Sequence, residues 1–183
     1  MRQLKHHEKK LLRKVDLYSW KSDNNLHEAQ IVKKYLLKDR EDYIKYSKVV
    51  GHVTKLVGKL KTLPQNDPLR FQVSDQVLQR LHGMGIINST SSLSAVEKLT
   101  VSSFCRRRLP VVMVRLKMSE TLKEATTFIE QGHIRVGPNV ITDPAFMVTR
   151  TFEDYVTWVD SSKIKRTIMK YNDKLDDFDL LEN

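Results

Sequence analysis

Apolar and polar residues alternate with helical spacing over residues 39–63. The apolar positions recur at steps of three and four residues, which is the spacing of one side of an α-helix that packs against a partner. A residue that precedes proline is pushed out of the helical conformation, so Leu63-Pro64 should end the helix. We therefore predict one long helix, with an apolar side formed by Tyr43, Tyr46, Val50, Val53, Val57 and Leu60.

Shorter patterns on either side predict further helices. Apolar residues at helical spacing indicate a short helix over residues 28–37. Asp67-Pro68 predicts the start of another, because aspartate caps helix N-termini and proline is favoured at the first helical position. Gly83 and Gly85 predict its end. The polar, serine-rich residues 88–95 then indicate the boundary of a helical N-terminal region.

The second half of the chain begins with two more predicted helices. The first carries three consecutive arginines at residues 106–108 and should kink or restart at Pro110, because proline cannot donate the backbone hydrogen bond of a helix interior. The second begins with a capping box of Thr121 and Glu124 and ends at Gly132. Its apolar positions predict a buried stripe formed by Leu122, Ala125, Phe128 and Ile129.

Strand patterns follow these two helices. Residues 133–136 alternate polar and apolar side chains, residues 137–139 form a Gly-Pro-Asn turn, and Val140 and Ile141 begin the return strand. Residues 155–159 form the clearest strand, with Val156 and Trp158 on the core face. We predict an α+β fold in which a helical N-terminal region precedes two helices packed on a short antiparallel sheet. The expected division is a basic helical region at 1–100, the α+β domain at 101–165, and a basic segment with an acidic tail at 166–183.

The charge of the chain is strongly positive and uneven. The formal net charge is +10, and the last twelve residues carry five acids against one lysine, which leaves +14 on the rest. Such a body favours a polyanionic partner, because neutralising phosphates releases counterions. A charge that serves only solubility is the alternative.

The first 21 residues carry seven lysines or arginines and apolar residues at helical spacing. A helix that binds a protein, lies on RNA or lies on a membrane surface would each show this pattern, and nothing else in the chain supports the membrane. His6 and His7 diverge by about 100° on a helix, so we expect no metal site there. No apolar run approaches the ~20 residues of a membrane span, and the N-terminus does not resemble a signal peptide. We expect a soluble intracellular protein.

The sequence contains no recognisable catalytic set. Cys105 is the only cysteine, which excludes an internal disulfide and a cysteine-based zinc site. It has no defined histidine partner, so we expect a small buried hydrophobe rather than a nucleophile. No HExxH motif, nucleophile elbow or paired-carboxylate motif is present. We therefore predict a protein that is not an enzyme and holds no cofactor or metal.

Cationic residues of the α+β domain are the candidates for RNA contact, since the arginine fork binds phosphate bidentately and stacks on bases. Arg115 lies seven residues beyond Arg108, on nearly the same side of a helix. His133 and Arg135 project to one side of a strand, beside the amide of Asn139; His133 is equally compatible with packing. The residues after 162 form a phosphate strip or a solvated helix face. The candidate RNA-binding residues are Arg106, Arg107, Arg108, Arg115, Lys117, His133, Arg135, Asn139, Arg150, Lys163, Lys165 and Arg166.

The segment RRRLPVVMVRLKMSETLKEATTFIEQGHIRVGPNVITDP resembles the RNA-binding domain named after the fourth small-subunit ribosomal protein, the S-four domain. The likeness rests on Arg-Arg-Leu at residues 107–109, on Ala125 in the second helix, and on Gly-His-Ile at residues 132–134. It covers about residues 103–165. Thr126 stands where many members carry arginine, so the resemblance assigns no RNA contact there.

A longer resemblance covers nearly the whole chain. MRQLKHHEKKLLRKVDLYSW, REDYIKYSKVVGHVTKL, EDYVTWVDSSKIKR and the terminal DDFD look like the eukaryotic family of the third interacting partner of M-phase phosphoprotein ten. The resemblance implies a nucleolar subunit of the U-three small nucleolar ribonucleoprotein, in the small-subunit processome. Such a subunit binds U-three RNA and pre-ribosomal RNA and promotes their pairing without ATP, in early 18S rRNA maturation and small-subunit assembly. The implied protein partners are M-phase phosphoprotein ten and a Brix-domain companion.

Three other functions are compatible with parts of the sequence. A mature small-subunit ribosomal protein of the same domain family would share the α+β domain but not the N-terminal HHEKKLLRKVDLYSW. An enzyme that grips RNA with this domain would need a large catalytic domain, and the residues outside 103–165 are too short and too helical for one. A subunit that contacts only an acidic protein would show no salt-dependent RNA binding.

Overall fold

The computed structural model describes residues 2–14 and 26–174, and within them it contains ten helices and three strands. The helices are α1 His6–Lys14, α2 Leu26–Tyr35, α3 Arg40–Thr62, α4 Pro68–Gly83, α5 Ser94–Glu97, α6 Val101–Cys105, α7 Leu109–Arg115, α8 Leu122–Glu130, α9 Arg150–Glu153 and α10 Lys163–Tyr171. The strands are β1 Ile134–Val136, β2 Asn139–Val140 and β3 Val156–Trp158.

The long predicted helix and its successor are confirmed. Helix α3 spans 23 residues, and its apolar side buries Tyr43, Val57 and Leu60. Helix α4 begins as predicted, with Pro68 in the first turn and the Asp67 carboxylate accepting a hydrogen bond from the Leu69 amide at 3.0 Å. Because the cap satisfies an amide that has no partner within the helix, it fixes the point at which the chain turns back along α3.

Two apolar clusters form on the buried side of α3. Near its N-terminal end, α2 and α6 pack against it and bury a set that includes Ile31, Tyr35 and Cys105. Near its C-terminal end, α4 and α5 bury a set that includes Leu81 and Val96. A single long helix therefore contributes residues to both apolar clusters of the N-terminal region.

Helices α7 and α8 pack together on a three-stranded antiparallel sheet of order β2-β1-β3. In the sheet Arg135 pairs with Val140 on one side and with Thr157 on the other. The core between the helices and the sheet is built from Leu109, Val112, Met113, Ala125, Ile129, Ile134, Val136, Val148 and Val156. The predicted α+β class, with two helices on a short sheet, is confirmed, and residues 101–171 are here called the C-terminal module.

The predicted start and end of α8 are confirmed as well. The Thr121 hydroxyl accepts a hydrogen bond from the Glu124 amide at 3.2 Å, and the Glu124 carboxylate accepts one from the Thr121 amide at 3.3 Å. Gly132 follows the helix with φ +73°, a conformation that glycine adopts without strain. These local signals set the direction in which β1 leaves the helix.

The arginines at residues 106–108 lie in the turn between two helices and not on a helix as predicted, whereas the restart at Pro110, one of the two predicted outcomes, is confirmed. Helix α6 ends at Cys105, and Arg108 is extended (φ −67°, ψ 144°) in front of α7. Pro110 lies in the first turn of α7, where its missing amide costs nothing. The chain therefore restarts a helix instead of kinking one, and the three side chains leave the backbone in different directions.

Some predictions fall outside the described residues or remain untested. The N-terminal helix is described only as α1, and the rest of the predicted basic segment from residue 15 lies outside the described residues, as does the acidic tail from residue 175. Helix α10 runs across the expected division between residues 165 and 166, and that division stays a prediction. Among residues 2–14 and 26–174, no helix combines the length and the apolarity that crossing a membrane requires.

Candidate nucleic-acid interface

Arg107 lies in the interior of the protein, where only 4% of its surface is exposed. Its Nε and Nη2 donate to the carbonyl oxygen of Val148 at 2.9 and 2.7 Å, and its Nη1 donates to Glu153 at 3.0 Å. The guanidinium also lies against the backbone of Gly85, where an added Cβ would approach its Cζ to 2.7 Å. With three hydrogen bonds made within the protein and its surface covered, Arg107 is not accessible to a phosphate in this arrangement, contrary to the expectation.

Arg108 is buried to the same degree, at 3% exposure, on the other side of the same turn. Its Nη1 donates to Asp42 at 2.9 Å and to the Tyr46 hydroxyl at 3.3 Å, both on α3. Burial alone would lower the pKa of Arg108, but the hydrogen bonds and charges of Asp42 and Tyr46 outweigh it and raise the pKa. Arg108 therefore joins α3 to the C-terminal module as a permanent cation, and the expected phosphate contact is not available to it.

Cys105 lies beside this ion pair and is fully buried. Burial is the main cause that raises the pKa of its thiol to about 11, and Asp42 adds to the rise while Arg108 opposes it. A thiol that stays protonated and covered is not a nucleophile. The prediction of a small buried hydrophobe is confirmed.

Arg150 makes a third connection between the two regions. Its Nη2 donates to the carbonyl oxygen of Ile87 at 3.0 Å and to the side chain of Asn88 at 3.4 Å. Arg107, Arg108 and Arg150 are here called the junction arginines. Arg108 and Arg150 donate to acceptors in the helical region, and Arg107 donates to acceptors within the C-terminal module. The module is thereby held on the helical region by charged hydrogen bonds.

Three further candidates are ion-paired but still partly exposed. Arg115 pairs with Glu153, and both Arg135 and Lys165 pair with Asp160. The hydrogen bond from Lys165 is the main cause that lowers the pKa of the Asp160 carboxyl. Pairs on the surface contribute little and exchange readily, so a phosphate could compete with these carboxylates.

His133 is half-buried between the sheet and the start of α10. Its Nδ1 lies 3.0 Å from the hydroxyl of Ser162, a buried residue whose side chain also caps α10 by accepting from the Ile164 amide. The backbone oxygen of His133 accepts from the Val159 amide at 2.9 Å. Of the two roles left open by the sequence, this position favours packing.

Four predicted cations remain without a partner in the described part of the chain, and they are here called the unpaired cations. They are exposed or nearly so and lie at turns and on the outer side of α10: Arg106, Lys117, Lys163 and Arg166. Asn139, at the exposed start of β2, keeps its amide available too. Because no carboxylate of the described residues pairs with these side chains, they are the residues of the predicted set best placed to neutralise phosphate.

A groove of about 560 Å³ lies between the end of α7, strand β3 and α10. Leu116, Met118 and Trp158 supply apolar walls. The charged lining consists of two cations, Arg135 and Lys165, and two acids, Glu153 and Asp154. Its size falls within the range of clefts that hold small ligands or a single nucleotide. Lys117 and Arg166 are chain neighbours of its lining, so unpaired and paired cations border the same depression.

A second row of cations, absent from the predicted RNA contacts, lies on α3. Five exposed side chains share the side of the helix opposite to its apolar one, and this row is here called the α3 stripe: Lys45, Lys48, His52, Lys55 and Lys59. Lys45 lies 3.7 Å from Asp42, and the other four have no ion-pair partner among the described residues. The signal was present in the same three-and-four spacing that revealed the apolar side.

Two family models match consecutive parts of the chain. The ribosomal protein S4/S9 N-terminal domain matches residues 3–106, and the S4 domain matches residues 107–153. Their junction falls between Arg106 and Arg107, in the turn between α6 and α7, a few residues after the start of the C-terminal module.

Individual proteins are similar to this chain over most of its length. The chain is 52% identical over 180 residues to the U3 small nucleolar ribonucleoprotein protein IMP3 of Saccharomyces cerevisiae, covering 98% of both chains. It is 49% identical over 181 residues to the protein of that name in Homo sapiens, again covering 98% of both. The small ribosomal subunit protein uS4 of Picrophilus torridus is 27% identical over 146 residues, or 79% of this chain and 80% of that protein.

Proposed function

Because the chain belongs to the family of the U3 small nucleolar ribonucleoprotein protein IMP3, we propose that it promotes the pairing of U3 small nucleolar RNA with pre-ribosomal RNA. As a member of that family it is an RNA-binding ribonucleoprotein component of ribosome biogenesis. In the proposal it acts in the nucleolus, in early 18S rRNA maturation and small-subunit assembly, and it uses neither ATP nor a cofactor.

The set of unpaired cations on the C-terminal module is the observation that carries this proposal. The side chains of these four residues are exposed, whereas Glu153 pairs with Arg107 and Arg115, and Asp42 pairs with Arg108. Exposed cations without carboxylates gain the full counterion-release free energy on meeting a polyanion. They support a surface kept for RNA.

The proposed reaction needs charge and geometry but no chemical step. Two RNA strands repel each other through their phosphates, and a basic surface lowers that repulsion while it holds bases exposed for pairing. The free energy of the duplex then drives the process. A protein that acts in this way requires no nucleotide hydrolysis.

The proposal includes M-phase phosphoprotein ten and its Brix-domain companion as protein partners. A described feature that supports a protein partner is α1, whose leucines Leu11 and Leu12 are exposed on one side. His6, Lys9, Lys10 and Arg13 occupy the opposite side. An exposed apolar side on a short helix is typical of a segment that is covered by another protein.

A mature small-subunit ribosomal protein is the second candidate function. The 27% identity to the archaeal uS4 protein favours it, but the identity to the IMP3 proteins is about twice as high and extends over nearly the whole chain. Sedimentation separates the two functions. A stable component of translating ribosomes would cosediment with polysomes, whereas the proposed subunit would be found with U3 RNA in precursor particles.

Annealing kinetics test the proposal directly. Fluorescently labelled U3 and pre-ribosomal RNA fragments are mixed without ATP, with the full chain or with Lys117→Gln/Arg166→Gln, across a salt series. The control is Lys38→Gln/Lys61→Gln, which removes the same charge from lysines that already pair with Glu130 and Glu97. We expect wild type and control to accelerate duplex formation, and we expect the unpaired-cation variant to lose most of the effect with a salt slope shallower by about 1.4.

Two results would contradict the proposal. If wild type bound neither RNA above background, the chain would be a scaffold held by proteins. If wild type accelerated annealing but both variants were equally impaired, net charge and not the unpaired cations would be responsible.

A further inference from the structure

The α3 stripe is a surface that the proposed RNA-contact residues leave unused. Its five side chains follow each other at steps of three, four, three and four residues, so they form one row along the helix. From Lys45 to Lys59 the row extends over about 21 Å, at a rise of about 1.5 Å per residue. Adjacent members lie about 5–6 Å apart at their Cβ atoms. A row of this length and spacing can follow the backbone of one extended RNA strand.

The stripe is free of acidic residues. Helix α3 carries Glu41 and Asp42 in its first turn and no further acid through Thr62. A solvated helix that serves only solubility usually interleaves both signs of charge, because pairs at i and i+4 stabilise the helix. Here the lysines repel one another, so the row costs helix stability. That cost favours a role in binding a polyanion.

The position of the stripe separates it from the unpaired cations. The apolar side of α3 faces the two N-terminal clusters, and the stripe lies about 150° around the helix from that side. The unpaired cations belong to the turn after α6, the turn after α7, and α10. The two cationic surfaces therefore lie on different elements, and the ion pair of Arg108 with Asp42 fixes α3 to the C-terminal module between them.

We propose that the α3 stripe is a second RNA-binding site, which holds one single strand by its phosphates while the unpaired cations of the C-terminal module hold another. The inference rests on the proposed function, because pairing of two RNAs is favoured when one rigid body holds both. Binding at two linked sites replaces a bimolecular encounter by an intramolecular one at high effective concentration. Each surface thus holds one of the two RNA strands that pair.

The test uses co-occupancy of the full chain by two RNAs that cannot pair. One oligonucleotide of about ten nucleotides carries a donor fluorophore and a second, non-complementary one carries an acceptor, so energy transfer requires both on one protein molecule. The stripe variant is Lys48→Gln/Lys55→Gln, because glutamine keeps helix propensity close to that of lysine. The matched control is again Lys38→Gln/Lys61→Gln, whose lysines already pair with acids.

We expect energy transfer with wild type and with the control, and its loss with the stripe variant. The stripe variant should still bind one labelled RNA at wild-type affinity and should anneal complementary RNAs at least fivefold more slowly. Equal energy transfer in the stripe variant and the control would overturn the inference. The inference would also be overturned if wild type bound only one RNA and the stripe variant lost binding to a ten-residue polyglutamate peptide. The row would then be a docking surface for an acidic protein.

The outcomes distinguish this inference from the proposed function. If wild type holds two RNAs through the stripe but does not accelerate annealing, the second site stands and the annealing function is wrong. If wild type accelerates annealing and the stripe variant does so equally well, the function stands and the second site is wrong.

Discussion

The junction arginines and the unpaired cations have similar side chains and opposite surroundings. Arg106 and Arg107 are neighbours in the chain, yet Arg106 is exposed without a partner among residues 2–14 and 26–174, whereas Arg107 is buried with three hydrogen bonds. The break between α6 and α7 separates them, because it turns consecutive side chains to different sides. A cationic run therefore does not have one function; the path of the backbone assigns each member its own.

The comparison also shows what burial demands of a charge. Each junction arginine meets an acidic or carbonyl acceptor, since an unpaired buried charge costs several kcal/mol. The unpaired cations are exposed and remain available to a ligand. Arg108 and Arg150 join the two regions, and Arg107 joins parts of the C-terminal module, whereas the unpaired cations are the proposed RNA contacts.

Removing a junction arginine should have the largest effect on the free energy of unfolding. We expect Arg107→Met to lower the free energy of unfolding by about 3 kcal/mol, because it leaves the Val148 carbonyl without its donors and Glu153 with one cation fewer. Arg106→Met, the matched change one residue earlier, should stay within about 0.5 kcal/mol of wild type. Denaturant unfolding measures both, and equal effects would show that the burial of Arg107 is not stabilising.

The contact between Gly85 and Arg107 should be the next most sensitive. Gly85→Ala places a Cβ 2.7 Å from the Arg107 Cζ in a backbone with φ +72°, and we expect a loss of about 2 kcal/mol. Gly58→Ala is the control, since its Cβ meets nothing within 4 Å in the interior of α3 and should stabilise by about 1 kcal/mol. Unfolding midpoints measure both changes: we expect a lower midpoint than wild type for Gly85→Ala and a higher one for Gly58→Ala. Shifts of the same sign would contradict the close contact at Gly85.

The buried thiol beside Arg108 gives a smaller effect that depends on pH. Its pKa is raised from 9.0 to about 11, so the folded state disfavours the thiolate relative to the unfolded state. This contribution to stability is fully present below pH 9 and is lost as the pH rises through 11. We expect wild type to lose more stability than Cys105→Ala between these values. Parallel pH titrations of the unfolding midpoint would contradict the buried assignment.

Removing the carboxylate that pairs with the partly exposed cations should have the smallest effect, and that effect should appear in RNA affinity. Asp160 holds Arg135 and Lys165, and we expect Asp160→Asn to raise affinity for single-stranded RNA about threefold and to steepen its salt dependence. Asp154→Asn removes the same charge from an exposed residue without an ion-pair partner in the described chain. If binding titrations gave equal gains for both, local pairing at Asp160 would not limit RNA binding.

The sequence by itself determined the fold class and most of the longer secondary elements. The cap at Asp67, the capping box at Thr121 and the spacing of apolar residues in α3 are local signals, and each fixes its helix wherever that helix lies. Alternation at Ile134, Val136 and Val156 likewise fixed which strand faces meet the core. These properties depend on backbone hydrogen bonds and on periodicity within a few residues, which one chain displays without a partner.

Only the tertiary structure decided which cations are available. The acceptors of Arg107 and Arg108 lie on α9, on the segment before it and on α3, between 41 and 66 residues away in the chain, and no local pattern announces them. Composition and spacing predicted these arginines as RNA contacts, because a sequence shows charge without showing burial or ion pairing. A charge becomes a binding site or a structural link according to what surrounds it, since burial and a nearby carboxylate settle whether its hydrogen bonds are already made.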